Sequence, residues 1–226
     1  MQLLVLGRGK TGSLVADLAR ERRHHVQVLG GADNANAGAL TGDFLASFNA
    51  VLDFTTPAAV VANVEACIRA HKSIVIGTTG WYDHLPRLRE LALAADTGLL
   101  YGSNFSIGVN LFFEIVETSA AALHFDYSGQ IFERHHAQKK DAPSGTAITI
   151  QEIIRDSSRQ EVEIVSFREG DAVGMHEVVF NSPADRIYLC HDAKSRRGFA
   201  EGAVRAAEWL VGKSGVYDFR TIWREL

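Results

Sequence analysis

The chain has 226 residues, 46% of them hydrophobic and 22% charged, with a formal net charge of −4 at pH 7. That length suffices for one large or two modest globular domains, and the slight negative charge with scattered Lys and Arg excludes a general nucleic-acid binder. Cys67 and Cys190 are too few for a disulfide framework and lack metal-ligand spacing, so both are expected as buried thiols in a reducing cytoplasm. No apolar stretch approaches the roughly 20 residues of a membrane span, and the N-terminus runs directly into a strand-like segment.

In chain order, apolar runs alternate with helical patterns. Gln2 to Leu6 predicts a strand, Gly12 to Arg23 a helix with Leu14, Val15, Leu18 and Ala19 on its apolar face, and Val26 to Leu29 a second strand. This βαβ unit is followed by strand Ala50 to Phe54, helix Ala58 to Ala70, strand Ser73 to Ile76, helix His84 to Ala95 and strand Leu99 to Tyr101. Such alternation implies an α/β fold with a doubly wound parallel sheet covered on both faces. Gly7-Arg8-Gly9-Lys10-Thr11-Gly12 lies between the first strand and first helix, where G-x-G-x-x-G permits a tight turn and close backbone approach to a pyrophosphate. Asp53-Phe54-Thr55-Thr56-Pro57 and Gly77-Thr78-Thr79-Gly80 follow later strands at the same sheet edge and offer small side chains and backbone donors, although each also reads as a helix cap. Leu29-Gly30-Gly31-Ala32-Asp33 places no acid directly at the second strand's end, and Arg8 or Lys10 can instead approach a 2′-phosphate, so NADH against NADPH stays open.

Beyond Tyr101 the pattern becomes α+β. A polar connector, Gly102 to Ser106, leads into an apolar helix from about Ile107 to Leu123 and a strand from Tyr127 to Glu133. Strands Glu163 to Phe167, His176 to Phe180 and Arg186 to His191 predict an open mixed sheet, and the helix Phe199 to Leu210 returns to the first domain. The expected division is 1–104 with 197–226 as the dinucleotide-binding domain and 105–196 as a smaller substrate-binding and oligomerisation domain.

Residues 133–147 carry the densest chemistry. His135 and His136 bring imidazoles that titrate near neutral pH, Lys139 and Lys140 bring fixed positive charge, and Pro143-Ser144-Gly145-Thr146 opens a helix predicted over Ala147 to Asp156. A helix start with exposed N–H groups seats a carboxylate, so the segment reads as a receptor for a small anionic substrate. Lys140 reads as a solvated surface residue and Asp141 as a turn former. His176 and His191 fall in strand patterns and default to structural roles, while Arg196 and Arg197 are as readily explained by surface ion pairs.

The segment Glu133 to Ala147 has the form E-x-H-H-x-x-K-x-D-x-P-S-G-T-A. Together with Gly77-Thr78-Thr79-Gly80, Asn104 to Asn110, Asp53-Phe54-Thr55 and His191 to Arg196, it resembles the 4-hydroxy-tetrahydrodipicolinate (dihydrodipicolinate) reductase family nearly end to end. The resemblance implies NADPH- or NADH-dependent reduction of a small cyclic dicarboxylate, with loss of water, in diaminopimelate and lysine biosynthesis. It places acid/base catalysis on His135 and Lys139 and substrate binding on His136, Lys139, Ser144, Gly145 and Thr146. Cofactor contacts fall by the same resemblance on Gly7, Arg8, Gly9, Lys10, Thr11, Gly12, Phe54, Thr55, Gly77, Thr78, Thr79, Ser103, Asn104 and Phe105, with no metal. It further implies a cytoplasmic homotetramer assembled through the second domain's sheet, without nucleic-acid or membrane partners. Ala137 and Gln138 stand where many members have Arg-His, and the glycine loop is one residue shorter than the commoner form. Two alternatives are another two-domain NAD(P) reductase or amino-acid dehydrogenase, and a non-catalytic nucleotide-binding protein; neither requires the histidine pair, Lys139 and the Ser-Gly-Thr helix start together.

Overall fold

The computed structural model describes residues 1–226. Its first strand, β1 (Gln2–Leu6), shows why the opening run is apolar without interruption: Leu3 and Val5 join one core while Leu4 and Leu6 join another on the opposite face. The same split recurs at Ala50 and Leu52 against Val51 in β3 (Ala50–Asp53), at Val75 against Ile74 and Ile76 in β4 (Ile74–Ile76), and at Leu100 against Leu99 in β5 (Gly98–Tyr101). A parallel sheet covered on both faces needs an apolar side chain at every position. With β2 (His25–Leu29) and β10 (Gly215–Asp218) these strands form a six-stranded parallel sheet of order β10-β5-β4-β3-β1-β2. Helices α1 (Lys10–Glu21) and α7 (Arg197–Leu210) supply one core, and α3 (Pro57–Arg69) and α4 (Leu85–Ala94) the other. The strand order reverses between β1 and β3, which is where such sheets bind ligands beyond their carboxyl ends. These elements make up one compact unit, residues 1–107 with 197–226.

Close packing in this unit rests on Gly202 of α7, where a Cβ would stand 1.8 Å from the Phe105 carbonyl oxygen. Neither group is a flexible side chain that can step aside. Gly202→Ala is expected to destabilise the fold by about 3 kcal/mol, in the range of overpacked cores, read as a lower urea midpoint with unchanged m.

The second unit, residues 108–196, is a four-stranded mixed sheet of order β7-β6-β8-β9. Strand β6 (Ser128–His135) runs parallel to β7 (Glu163–Arg168) and antiparallel to β8 (Met175–Asn181), which pairs antiparallel with β9 (Arg186–Asp192). Helices α5 (Ile107–Ser119) and α6 (Gly145–Ser158) cover one face, packing Val109, Phe112, Val116, Ile150 and Ile154 on Ile131, Val178 and Phe180. The opposite face leaves Phe167 and Tyr188 exposed.

The expected fold class holds in both units, with differences that have physical causes. Strand β6 does not end at Glu133 but continues through His135, because the inward positions change from apolar Ile131 to the buried polar pair Glu133 and His135 without breaking the ladder. The helix predicted to Leu123 tightens into a 3₁₀ turn from Ala120, and α6 begins at Gly145 rather than Ala147, capped by the Ser144 hydroxyl. Strand β10 and the short helices α2 (Gly42–Ala46) and α8 (Phe219–Ile222) were not expected; none is long enough to display a period. Cys67 is buried, but Cys190 is exposed because it points away from the helix-covered face of β9. Thr56 occupies the cap position before Pro57, yet its side chain makes no capping hydrogen bond. No helix is long and apolar enough to cross a membrane.

Candidate active site

In the first unit, the loops after β1, β3 and β4 meet at the strand-order reversal. A cavity of about 290 Å³ is lined by Gly9, Lys10, Thr11, Gly12, Phe54, Thr55, Pro57, Gly77, Thr78 and Thr79. A second, of about 340 Å³, includes Gly7, Arg8, Gly9, Gly30, Gly31, Asn34, Phe54 and Thr55. Side chains cannot replace two of the three loop glycines: a Cβ on Gly12 would lie 2.3 Å from the Gly7 carbonyl oxygen, and one on Gly7, whose φ is +107°, 2.2 Å from the Phe54 oxygen, whereas one on Gly9 would meet nothing within 4 Å. Gly77 abuts the Phe54 ring in the same way, with a Cβ 2.1 Å from it. Asp53, fully buried, braces these loops by accepting hydrogen bonds from the Thr55 N–H (3.0 Å), the Thr55 and Thr78 hydroxyls (both 2.7 Å) and the Asn63 amide (2.8 Å).

The cradle therefore presents backbone rather than side chains at the N-terminus of α1, a fit for a dinucleotide pyrophosphate. Of the expected cofactor residues, Ser103, Asn104 and Phe105 line neither cavity. The Asn104 side chain accepts from the Ser106 N–H (2.9 Å), and the Phe105 ring packs between Phe54 and Phe219 with centroid distances of 6.3 and 4.7 Å. Asp33 pairs with Arg8 (3.0 Å) and accepts from the Gly30 N–H (2.9 Å), so an acid from the loop after β2 meets two residues that line the second cavity.

In the second unit, period-two alternation places Ile131, Glu133 and His135 of β6 on the helix-covered face, and the register sets Glu133 opposite His176 of β8 and His135 beside Arg168 of β7. Glu133 is fully buried. Its Oε1 accepts from the Ser144 N–H (3.1 Å) and from Arg168 Nη2 (2.6 Å), while Oε2 lies 2.8 Å from His135 Nδ1. Burial opposes its ionisation, but hydrogen bonds from Ser144, Ser166 and Arg168 outweigh that and hold the carboxyl down at about 2. Burial is also the main influence on His135, lowering its pKa, with Lys139 and Arg168 acting in the same sense and Glu133 against them. His176 is buried and pushed down to about 3, so it is neutral near pH 7; its Nε2 lies 3.2 Å from the Ser144 hydroxyl and its ring meets that of His135 edge-on at 5.2 Å.

The remaining expected substrate residues sit around this core. Lys139 Nζ donates to both Asp141 carboxylate oxygens (2.8 Å each), so Asp141 holds the lysine as well as shaping the turn. His136 Nε2 lies 3.4 Å from Arg196 Nη2. Ser144 caps α6 by accepting from the Ala147 N–H (3.2 Å), and Gly145, in the first turn, has no neighbouring atom within 4 Å of where a Cβ would stand. A carboxylate can thus approach the backbone there. Glu133, His135 and His176 each bring one donor atom within 4.8 Å of the others. Glu133 Oε1 is already taken by Ser144 and Arg168, and Lys139 and Arg168 add positive charge, which suits handling a proton better than holding a dication.

Reading the sequence for this site did not single out Glu133, Arg168, His176 or Arg196, which contact its expected residues or one another. The available signal was a charged residue two positions from a histidine at inward strand positions, in a pattern otherwise occupied by Ile131 and Val178. Arg196 also restores positive charge beside His136, near the sites where Ala137 and Gln138 lack it. Arg197, by contrast, pairs with Glu21 (2.5 Å).

Two family models match the chain: dihydrodipicolinate reductase, N-terminus, over residues 1–105, and dihydrodipicolinate reductase, C-terminus, over residues 108–222. The chain is 36% identical over 240 residues to a 4-hydroxy-tetrahydrodipicolinate reductase of Christiangramia forsetii, covering 100% of this chain and 99% of that protein. It is 36% identical to the Neisseria meningitidis protein of the same name, across 79% of this chain and 73% of that one. Among solved structures, dipicolinate-bound dihydrodipicolinate reductase from Paenisporosarcina sp. TG-14 shares the fold with a TM-score of 0.79 at 23% identity, covering 98% of this chain and 99% of that chain.

Proposed function

The chain belongs to the dihydrodipicolinate reductase family, and from that premise we propose that the β1, β3 and β4 loops bind NADH or NADPH while residues 133–147 bind and protonate the substrate. The reaction is the NAD(P)H-dependent reduction of 4-hydroxy-tetrahydrodipicolinate to tetrahydrodipicolinate, with loss of water, in diaminopimelate and lysine biosynthesis. The observation that carries the assignment is the meeting of His135, Lys139 and the α6 N-terminus around one buried carboxylate, Glu133.

When bound, the nicotinamide supplies the hydride. The chain's own residues seat the ring, move protons and balance charge. One substrate carboxylate is received at the first turn of α6, by Gly145 and Thr146 with the Ser144 cap, where the positive end of the helix dipole favours an anion. Lys139, swung from Asp141, donates to the substrate as negative charge develops at the ring nitrogen during hydride addition. His135, neutral near pH 7, exchanges the proton that accompanies loss of the hydroxyl. His136, with Arg196 beside it, contributes a further donor toward the dicarboxylate.

The first unit is assigned to the cofactor and the second to substrate and assembly. A homotetramer formed on the open face of the β7-β6-β8-β9 sheet is supported by exposed Phe167 and Tyr188, apolar surface that a partner sheet would cover. A reducing cytoplasm accords with two unpaired cysteines, one of them exposed.

Absorbance loss from NADH or NADPH on adding enzymatically generated substrate tests the assignment: substrate-dependent oxidation is expected. Cofactor binding without it contradicts the proposal. Cofactor choice is expected to turn on Arg8, whose guanidinium is exposed and tied only to Asp33 and, at 3.4 Å, the Val28 carbonyl. Released toward a 2′-phosphate, it would make charge-assisted bonds unavailable to NADH. Arg8→Ala should therefore raise KM for NADPH about tenfold, roughly 1.4 kcal/mol, and change KM for NADH little. Equal changes for both cofactors would remove Arg8 from this role.

A further inference from the structure

Resting on the assignment of His135 as acid/base, we propose that Glu133 is the positioning residue of this site: one carboxylate oxygen fixes the His135 imidazole with its proton on Nδ1, and the other fixes the head of α6, so that acid/base group and anion seat share one anchor. A buried ion pair with Arg168 alone would need only one oxygen. Here Oε1 already takes both Arg168 Nη2 (2.6 Å) and the Ser144 N–H (3.1 Å), and Oε2 is left 2.8 Å from His135 Nδ1. An ionised carboxylate only accepts, so a contact this close favours the tautomer with hydrogen on Nδ1. The reactive lone pair is then on Nε2, the atom that faces Gly174, where an added Cβ would come within 2.9 Å of it.

The anchor is itself held. Arg168 also donates to the Asp141 carbonyl (2.6 Å), tying the turn that bears Lys139 to the same carboxylate, and His176 bridges back by standing edge-on to His135 and 3.2 Å from the Ser144 hydroxyl. The charged or titratable groups around His135 are Glu133 on its own strand, Arg168 from β7, His176 from β8 and Lys139 from the following turn; His191 of β9 acts on His176. Among these only Glu133 raises the imidazole pKa, against burial and both cations. Neutralising it must move that pKa further down.

The test compares kcat/KM against pH for the wild-type enzyme, Glu133→Gln and His135→Gln, with the histidine tautomer read by ¹⁵N NMR of the wild-type protein. The limb due to His135 should vanish in His135→Gln. In Glu133→Gln it should move to lower pH by about one unit or more, with KM raised as the α6 seat loosens, and Glu133→Asp should restore part of the shift. A folded Glu133→Gln enzyme with its limb in place overturns the positioning role alone, whereas a limb that survives in His135→Gln overturns the acid/base assignment beneath it. Should Glu133→Gln fail to fold, the wild-type spectrum decides: proton on Nδ1 supports the proposal, and proton on Nε2 overturns it.

Discussion

His135→Gln should lower kcat by about 10² to 10⁴-fold, the usual contribution of a positioned proton-transfer group, with affinity for NADH and NADPH unchanged. The imidazole is buried at the end of β6 in the second unit, and every residue lining the two cavities proposed to hold the nucleotide belongs to the first. Glutamine keeps approximate size and a polar head that Glu133 can still hold, so lost turnover reports lost proton transfer rather than collapse. The checks are steady-state kinetics beside a fluorescence titration of the reduced cofactor. A parallel loss of nucleotide affinity would contradict the division of labour between the units.

Lys139→Ala should reduce kcat/KM by about 10² to 10³-fold, because the side chain is asked both to bind a carboxylate and to answer charge at the ring nitrogen. The fold should tolerate the change. Asp141 is 59% exposed, and an ion pair at that exposure stabilises by only about 0–1 kcal/mol. Lys139→Arg should recover carboxylate binding in part, through a lower KM than the alanine variant, but little of kcat, since a planar guanidinium is a poor proton donor. If alanine raises KM and leaves kcat intact, Lys139 binds substrate without taking part in proton transfer.

How much of this could be read from the chain varied with the kind of signal. Leu3 to Leu6, Ala50 to Leu52 and Ile74 to Ile76 announced a doubly covered parallel sheet because each is apolar at consecutive positions, and the glycine loop stood where backbone must approach backbone. Strand β10 stayed hidden: four half-buried residues at a sheet edge carry no period. The histidines and Lys139 were legible as chemistry from residue type alone. Their organiser was not, because Glu133 closed an expected strand that in fact runs on to His135, and only the continued alternation places both side chains inward. Partners such as Arg168 and His176 lie 35 and 43 positions beyond Glu133 and meet it through strand register, which local pattern does not specify. Asp33 does not stand directly at the end of β2, yet the Gly30-Gly31 turn folds it back so that its carboxylate accepts from the Gly30 N–H.

The most direct test of the central claim is the fate of a deuterium label when enzymatically generated 4-hydroxy-tetrahydrodipicolinate is turned over with a nicotinamide cofactor deuterated at the transferable position. One deuterium bonded to ring carbon in the tetrahydrodipicolinate product, at a rate lowered about 100-fold or more by each of His135→Gln and Lys139→Ala, is the predicted result. Cofactor oxidation that leaves the product unlabelled, or labelled product formed equally well by both variants, would contradict it.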